Sequence, residues 1–335
     1  MAHGRFDSVC AGGSPRPPDA KVSRHLRRDA RRGRRLNRRA VTMLPNFLLI
    51  GAGKSGTSSL HAYFQQHPDI YMSPVKEPNF FALDGKPPLY PTEQIARAVV
   101  YPQIWRLEDY EAQFTFHAGQ KAVGESSTWY LNSPVAPAAI RSLIPEARLI
   151  AILRDPIERA FSAFLMSRRI GLEPETDLAA ALAKQADRQT GYDYGLDYLT
   201  PGLYAHHLKR YLEHFSADQL EIVFHEDFVA DEAAVLARLF RFLGVDPDFR
   251  PDTSIKHNAV RPPRQGRQTS FSDRIGRAIR KRSNRLRGRS TFRLGAARAG
   301  LPADLRHRLI DFYEADIGQL ETLTGRDLIH WRRRD

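Results

Sequence analysis

The sequence predicts an α/β protein, a single domain in which a central parallel sheet is flanked by helices. Three observations carry this expectation. Short unbroken apolar runs recur along the chain, segments of helical spacing separate them, and the first run passes through a glycine-rich turn straight into a helix. With 335 residues and 42% hydrophobic content, the chain can bury one sizeable core.

The elements follow in order. Residues 46–50, Asn-Phe-Leu-Leu-Ile, form a run closed by Gly51 and read as a buried parallel strand, with a helix expected over 57–66. Residues 121–124 and 148–153 read as two further core strands, with helices over 134–143 and 156–169. Residues 220–224 give a fourth strand, ahead of a helix over 231–243 that Gly244 ends. Residues 204–215 and 305–323 carry apolar side chains at helical spacing, and each is expected to pack one face on the sheet.

The formal charge of +13 suggests a polyanion binder until its distribution is read. Residues 1–40 hold 12 Lys/Arg against 3 acids, and residues 261–298 hold 13 against 1, which leaves the rest of the chain net negative by about 8. Residues 1–43, rich in Gly, Pro and Arg without apolar periodicity, are expected to form a disordered basic arm before a domain over 44–335, within which 261–298 is an Arg-rich loop region. The single cysteine, Cys10, excludes an intrachain disulfide and a cysteine cluster for zinc. None of the 12 histidines stands in a metal-ligand spacing, so no metal is expected. The longest apolar runs fall far short of a membrane span, and the arm lacks an apolar leader core, so the expected setting is cytoplasmic.

The strongest chemical signal is Gly51-Ala-Gly-Lys-Ser-Gly-Thr-Ser-Ser59 at the first strand-to-helix passage. Glycines let backbone N–H groups turn inward, the helix N-terminus adds positive potential, and Lys54 with the hydroxyls beside it completes a cradle for phosphate or sulfate. A nucleoside-triphosphatase loop would need glycine where Leu48 stands, and a strand-end carboxylate for Mg²⁺ where residues 148–153 run into Arg154. Arg154 ends a central strand, where open α/β sheets bind ligands, and Ser162 lies two turns into the next helix. A guanidinium in that place suits a bidentate grip on phosphate. A structural Arg-Asp-Pro helix start is the alternative.

Together these segments resemble the sulfotransferases that use 3′-phosphoadenosine 5′-phosphosulfate (PAPS), in particular the branch with heparan sulfate sulfotransferases and bacterial members. The resemblance implies a P-loop-like sulfotransferase fold. It implies that Lys54, Ser55, Gly56, Thr57, Ser58 and Ser59 hold the 5′-phosphosulfate, with Lys54 at the bridging oxygen, and that Arg154 and Ser162 hold the 3′-phosphate. Lys76-Glu77-Pro-Asn-Phe-Phe81 is similar to a Lys-Glu-x-His-Phe-Phe segment whose glutamate is the catalytic base, which makes Glu77 the candidate base and gives Phe80 and Phe81 the task of anchoring it. Lys256-His-Asn258 with Arg261, Arg264 and Arg267 is similar to a loop that closes over the 3′-phosphate, so Arg264 and Arg267 join the donor-site candidates.

Departures from that branch are specific. Asn79 stands in place of histidine, and in Gly124-Glu-Ser-Ser-Thr-Trp-Tyr130 Ser126 replaces a lysine that engages polysaccharide. A carbohydrate, lipid or other small-molecule hydroxyl or amine therefore stays open as acceptor. Two rivals remain beside PAPS-dependent transfer: a nucleotide-dependent kinase, and a non-enzymatic polyanion binder acting through the basic segments, which could also touch polyanions in an enzyme.

Overall fold

The computed structural model describes residues 44–88, 90, 96, 101–185, 196–254 and 301–334. Residues 1–43, Arg264, Arg267 and the rest of 261–298 lie outside these. In chain order the main elements are β1 (Phe47–Gly51), α1 (Thr57–Phe64), β2 (Ile70–Met72), α2 (Phe80–Leu83), α3 (Leu107–Glu111), β3 (Ala122–Ser126), α4 (Ala136–Leu143), β4 (Arg148–Leu153) and α5 (Pro156–Arg169). They continue with α6 (Leu178–Gln185), α7 (Tyr204–Leu212), β5 (Leu220–Phe224), α8 (His225–Ala230), α9 (Glu232–Leu243) and α10 (Ala303–Thr324). The strands pair in the order β2-β3-β1-β4-β5, every pairing parallel.

The unbroken apolar runs are explained by burial on both faces. Leu48 and Ile50 of β1, with Leu149, Ala151 and Leu153 of β4, enter one core against α5, α7 and α10. Phe47 and Leu49, with Ile150 and Ile152, enter the other core against α1 and α9. Strand β2 escapes sequence reading because three residues at a sheet edge are too few to show a period. The predicted helices at 57–66 and 204–215 stop earlier, at Phe64 and Leu212. No described helix is long and apolar enough to cross a membrane.

This topology creates the site. From the carboxyl end of β1 the chain leaves to α1 on one face, while from the neighbouring end of β4 it leaves to α5 on the other, so a crevice opens between the two exits. The β1–β4 register slips between Leu49 and Gly51, at the mouth of that crevice.

Candidate active site

Residues 52–56 form the floor of the crevice. The Ala52 N–H donates to Ile152 O at 2.8 Å, which ties the loop to β4. Lys54 (φ 73°) and Gly56 (φ 108°) both take left-handed backbone, and the turn then enters α1 with no side-chain cap and no acid in its first turn. Gly56 packs under Ile152 and His225: a Cβ placed there would meet their side chains at 3.4 and 3.5 Å. Burial, followed by the positive fields of Arg169 and Arg154, pushes the Lys54 ammonium down to about 8, with Glu77 opposing and Lys76 adding to the fall.

Arg154 stands at the β4 exit. Its Nη1 donates to Lys54 O at 3.3 Å and its Nη2 to Glu158 Oε2 at 3.2 Å. The pair with Glu158 is well covered, and the guanidinium retains donors beyond these two bonds. Asp155 caps α5, accepting from Ile157 N at 2.8 Å and Glu158 N at 3.2 Å, and burial pushes its carboxyl up to about 6. Both readings of the Arg-Asp-Pro turn are thus present in one structure: a capped helix with an ion pair, and an arginine facing the loop. Tyr204 Oη donates to Arg154 O at 2.8 Å, which gives this tyrosine at the start of α7 a role in fixing that turn. Ser162, largely buried, lies on α5 in one stripe with Glu158 and Arg169.

Across the crevice, Lys76 Nζ donates to Ser58 Oγ at 2.9 Å and to Glu77 Oε1 at 3.1 Å, joining the loop to the candidate base. Glu77 (φ 56°) and Asn79 (φ 55°) are both left-handed, so their turn requires tethers. The Glu77 N–H donates to Ser126 O at 2.8 Å, Gln103 Nε2 to Glu77 O at 3.2 Å, and Asn79 Nδ2 to Gln103 Oε1 at 2.9 Å. Phe80 stacks on Tyr110 with ring centroids 4.2 Å apart, and Phe81 meets Tyr110 and Tyr130 edge-on, so the two phenylalanines anchor the turn by being core.

The structure therefore gathers Lys54, Ser58, Glu77, Arg154 and their neighbours at one crevice. Sequence reading missed Arg169 and His225 as neighbours of it. The seven-residue spacing from Ser162 to Arg169 would have placed both on one helix face. His225 follows β5, the strand beside β4, and burial followed by the Arg154 charge lowers it to about 4; finding it required the strand order.

A parallel sheet with a cationic, hydroxyl-rich loop at its switch point, and a carboxylate opposite, defines a transferase of activated anionic groups. The sulfotransferase family profile matches residues 45–250, well over half of the chain, and the chain belongs to that family. A crystal structure of a sulfotransferase from Alicyclobacillus acidocaldarius is 32% identical and superposes with a TM-score of 0.68 over 87% of this chain and 100% of that one. Among curated relatives, bifunctional heparan sulfate N-deacetylase/N-sulfotransferase 4 of Mus musculus is 29% identical over 62% of this chain and 23% of its own length. Heparan sulfate glucosamine 3-O-sulfotransferase 3A1 of Mus musculus is 28% identical over 60% of this chain and 46% of its own length. The matches thus span less than half of either curated relative.

Proposed function

We propose that this sulfotransferase takes its sulfuryl group from PAPS and delivers it to a hydroxyl or amine of a carbohydrate, lipid or other small-molecule acceptor. The observation that carries the reading is the charge around Lys54. Three further cations, Arg169, Arg154 and Lys76, bear on a partly buried ammonium, and Glu77 is the one acid among the named charges acting on it. Such a cluster suits a polyanion, which would relieve the repulsion and return Lys54 toward its ordinary basicity.

PAPS supplies an activated sulfuryl group and leaves as 3′-phosphoadenosine 5′-phosphate (PAP). Lys54, protonated, stabilises the charge that develops on the departing phosphate oxygen. The Ser55–Ser59 hydroxyls and amides hold the 5′ end, while Arg154 and Ser162, one element away, hold the 3′-phosphate. Glu77 accepts the acceptor's proton, and Lys76 keeps its carboxylate beside the loop. The chemistry is dominated by positioning and electrostatics, as in phosphoryl transfer. The kinase alternative loses support because Asp155, the carboxylate after β4, is buried and turns its Oδ1 to the α5 cap.

The test is turnover in EDTA. PAPS incubated with the purified chain and a panel of hydroxyl and amine acceptors should yield PAP without added metal. ATP turnover that requires Mg²⁺, with PAPS left intact, would sink the proposal.

A further inference from the structure

We propose that Glu125, fully buried at the end of β3, is a positioning residue for the reaction base, acting as the hub that holds the Glu77 turn through two hydroxyl tethers. The inference rests on the reading of Glu77 as the base. It starts from a carboxyl group for which the mechanism above has no task. Tyr110 Oη donates to Glu125 Oε1 at 3.3 Å, Ser127 Oγ donates to Oε2 at 2.9 Å, and the Tyr130 hydroxyl lies beside the carboxyl and favours its charged form. Two of these hydroxyls turn outward to the strained segment. Ser127 Oγ accepts the Asn79 N–H at 3.0 Å, and Tyr130 Oη accepts the Phe81 N–H at 3.4 Å.

The geometry makes a clamp of one carboxyl, two hydroxyls and two backbone amides. A hydroxyl that gives its single proton to Glu125 has only lone pairs left for the amide behind it, so the carboxyl fixes the orientation in which each hydroxyl can receive the turn. The amides lie two and four residues beyond Glu77, and they hold a turn with two left-handed non-glycine residues. Loss of the hub frees that turn while the loop at 52–56 keeps its own anchor, the bond from Ala52 N to Ile152 O.

The hub is also sensitive to charge. The groups that bear on Glu125 are Tyr110 of α3, Ser127 and Tyr130 beyond β3, Glu77 on the turn, and Tyr211 of α7, and no cation stands among them. Burial, with the Glu77 charge adding to it, pushes the Glu125 carboxyl up to about 7 against the hydrogen bonds that favour its charged form. Below that pH the hub is neutral. Above it, an uncompensated charge lies inside the clamp and next to the base.

The experiment measures kcat/KM for PAPS cleavage with water as acceptor, across pH 5.5 to about 9, together with PAP affinity by calorimetry; kcat/KM reports the free enzyme's ionisations. Wild type should lose rate on an alkaline limb near 7. Glu125→Ala should lose about tenfold or more at pH 6 with PAP affinity kept, because the loss is in the aim of the base and not in donor binding. Glu125→Gln, neutral and of the same shape, should recover most of that loss and move the limb toward 8, where Lys54 titrates. Full activity in Glu125→Ala, or an unmoved limb in Glu125→Gln, overturns the proposal. Should Glu125→Ala not fold, the Ser127→Ala/Tyr130→Phe double variant keeps the carboxyl and removes both tethers, and a wild-type rate there overturns it equally. Glu77→Gln separates the two levels. A dead Glu77→Gln beside an unaffected Glu125→Ala removes only the hub, whereas an active Glu77→Gln removes the base assignment on which it stands.

Discussion

Lys54 and Glu125 lie at the same end of the sheet, on the exits of the adjacent strands β1 and β3, and burial drives both toward neutrality. Their surroundings differ. Lys54 is pressed further by Arg169 and Arg154, so its neighbourhood is cationic. Glu125 is ringed by hydroxyls that satisfy it with no outside ligand. One half of the site is built to receive charge and the other to hold a shape.

The largest way to break this comparison is to remove the charge. Lys54→Ala should lose on the order of 3 kcal/mol of transition-state stabilisation, comparable with loss of an oxyanion donor. Retention of more than about a tenth of wild-type kcat in PAPS turnover would remove Lys54 from the chemistry. On the neutral half the expected signature is in stability. The folded-state value of Glu125 is raised from 4.5 to about 7, so its contribution is fully present below the unfolded value and is lost as pH rises through about 7. Denaturant unfolding should therefore show wild type declining relative to Glu125→Gln by on the order of 3 kcal/mol between pH 4.5 and 7.5. Parallel curves for the two proteins would mean that Glu125 is not held neutral.

A shape-bearing position nearby gives a smaller effect. Gly124 has no room for a side chain, since a Cβ there would lie 2.4 to 2.6 Å from the buried Phe47 ring. Gly124→Ala should cost about 1–3 kcal/mol of folding stability by overpacking, read as a lower denaturation midpoint at unchanged m-value. The smallest effect returns to the charged half. PAP should be accompanied by proton uptake near pH 8, because the anion raises a lysine that is half neutral there, and its affinity should weaken by up to about tenfold per pH unit above that point. Calorimetry in buffers of different ionisation enthalpy measures the uptake directly, and buffer-independent heats would contradict it.

The same contrast explains what could be read from the sequence. The Lys54 loop, the Arg154 turn and the strands that deliver them are local patterns: an apolar run, a glycine turn and a helix start within about a dozen residues. Glu77 and its phenylalanines came only with the family resemblance. The hub was half legible: Glu125, Ser127 and Tyr130 stand in the segment 124–130 that the sequence singled out, but their task was not read, because Tyr110 joins them only through the packing of α3 and the Glu77 turn only through the fold. Arg169 was within reach of the sequence through its helical spacing from Ser162, whereas His225 becomes a neighbour only through strand order. Arg264 and Arg267 lie outside the described residues, and their place at the donor site stays a proposal.

The central claim is a donor site that requires a 3′-phosphate, and calorimetric titration with PAP beside ADP and ATP, all in EDTA, tests it most directly. PAP should bind tightly, ADP much more weakly, and Arg154→Ala should erase most of that difference. Equal affinity for PAP and ADP, or a preference that survives in Arg154→Ala, would contradict the account.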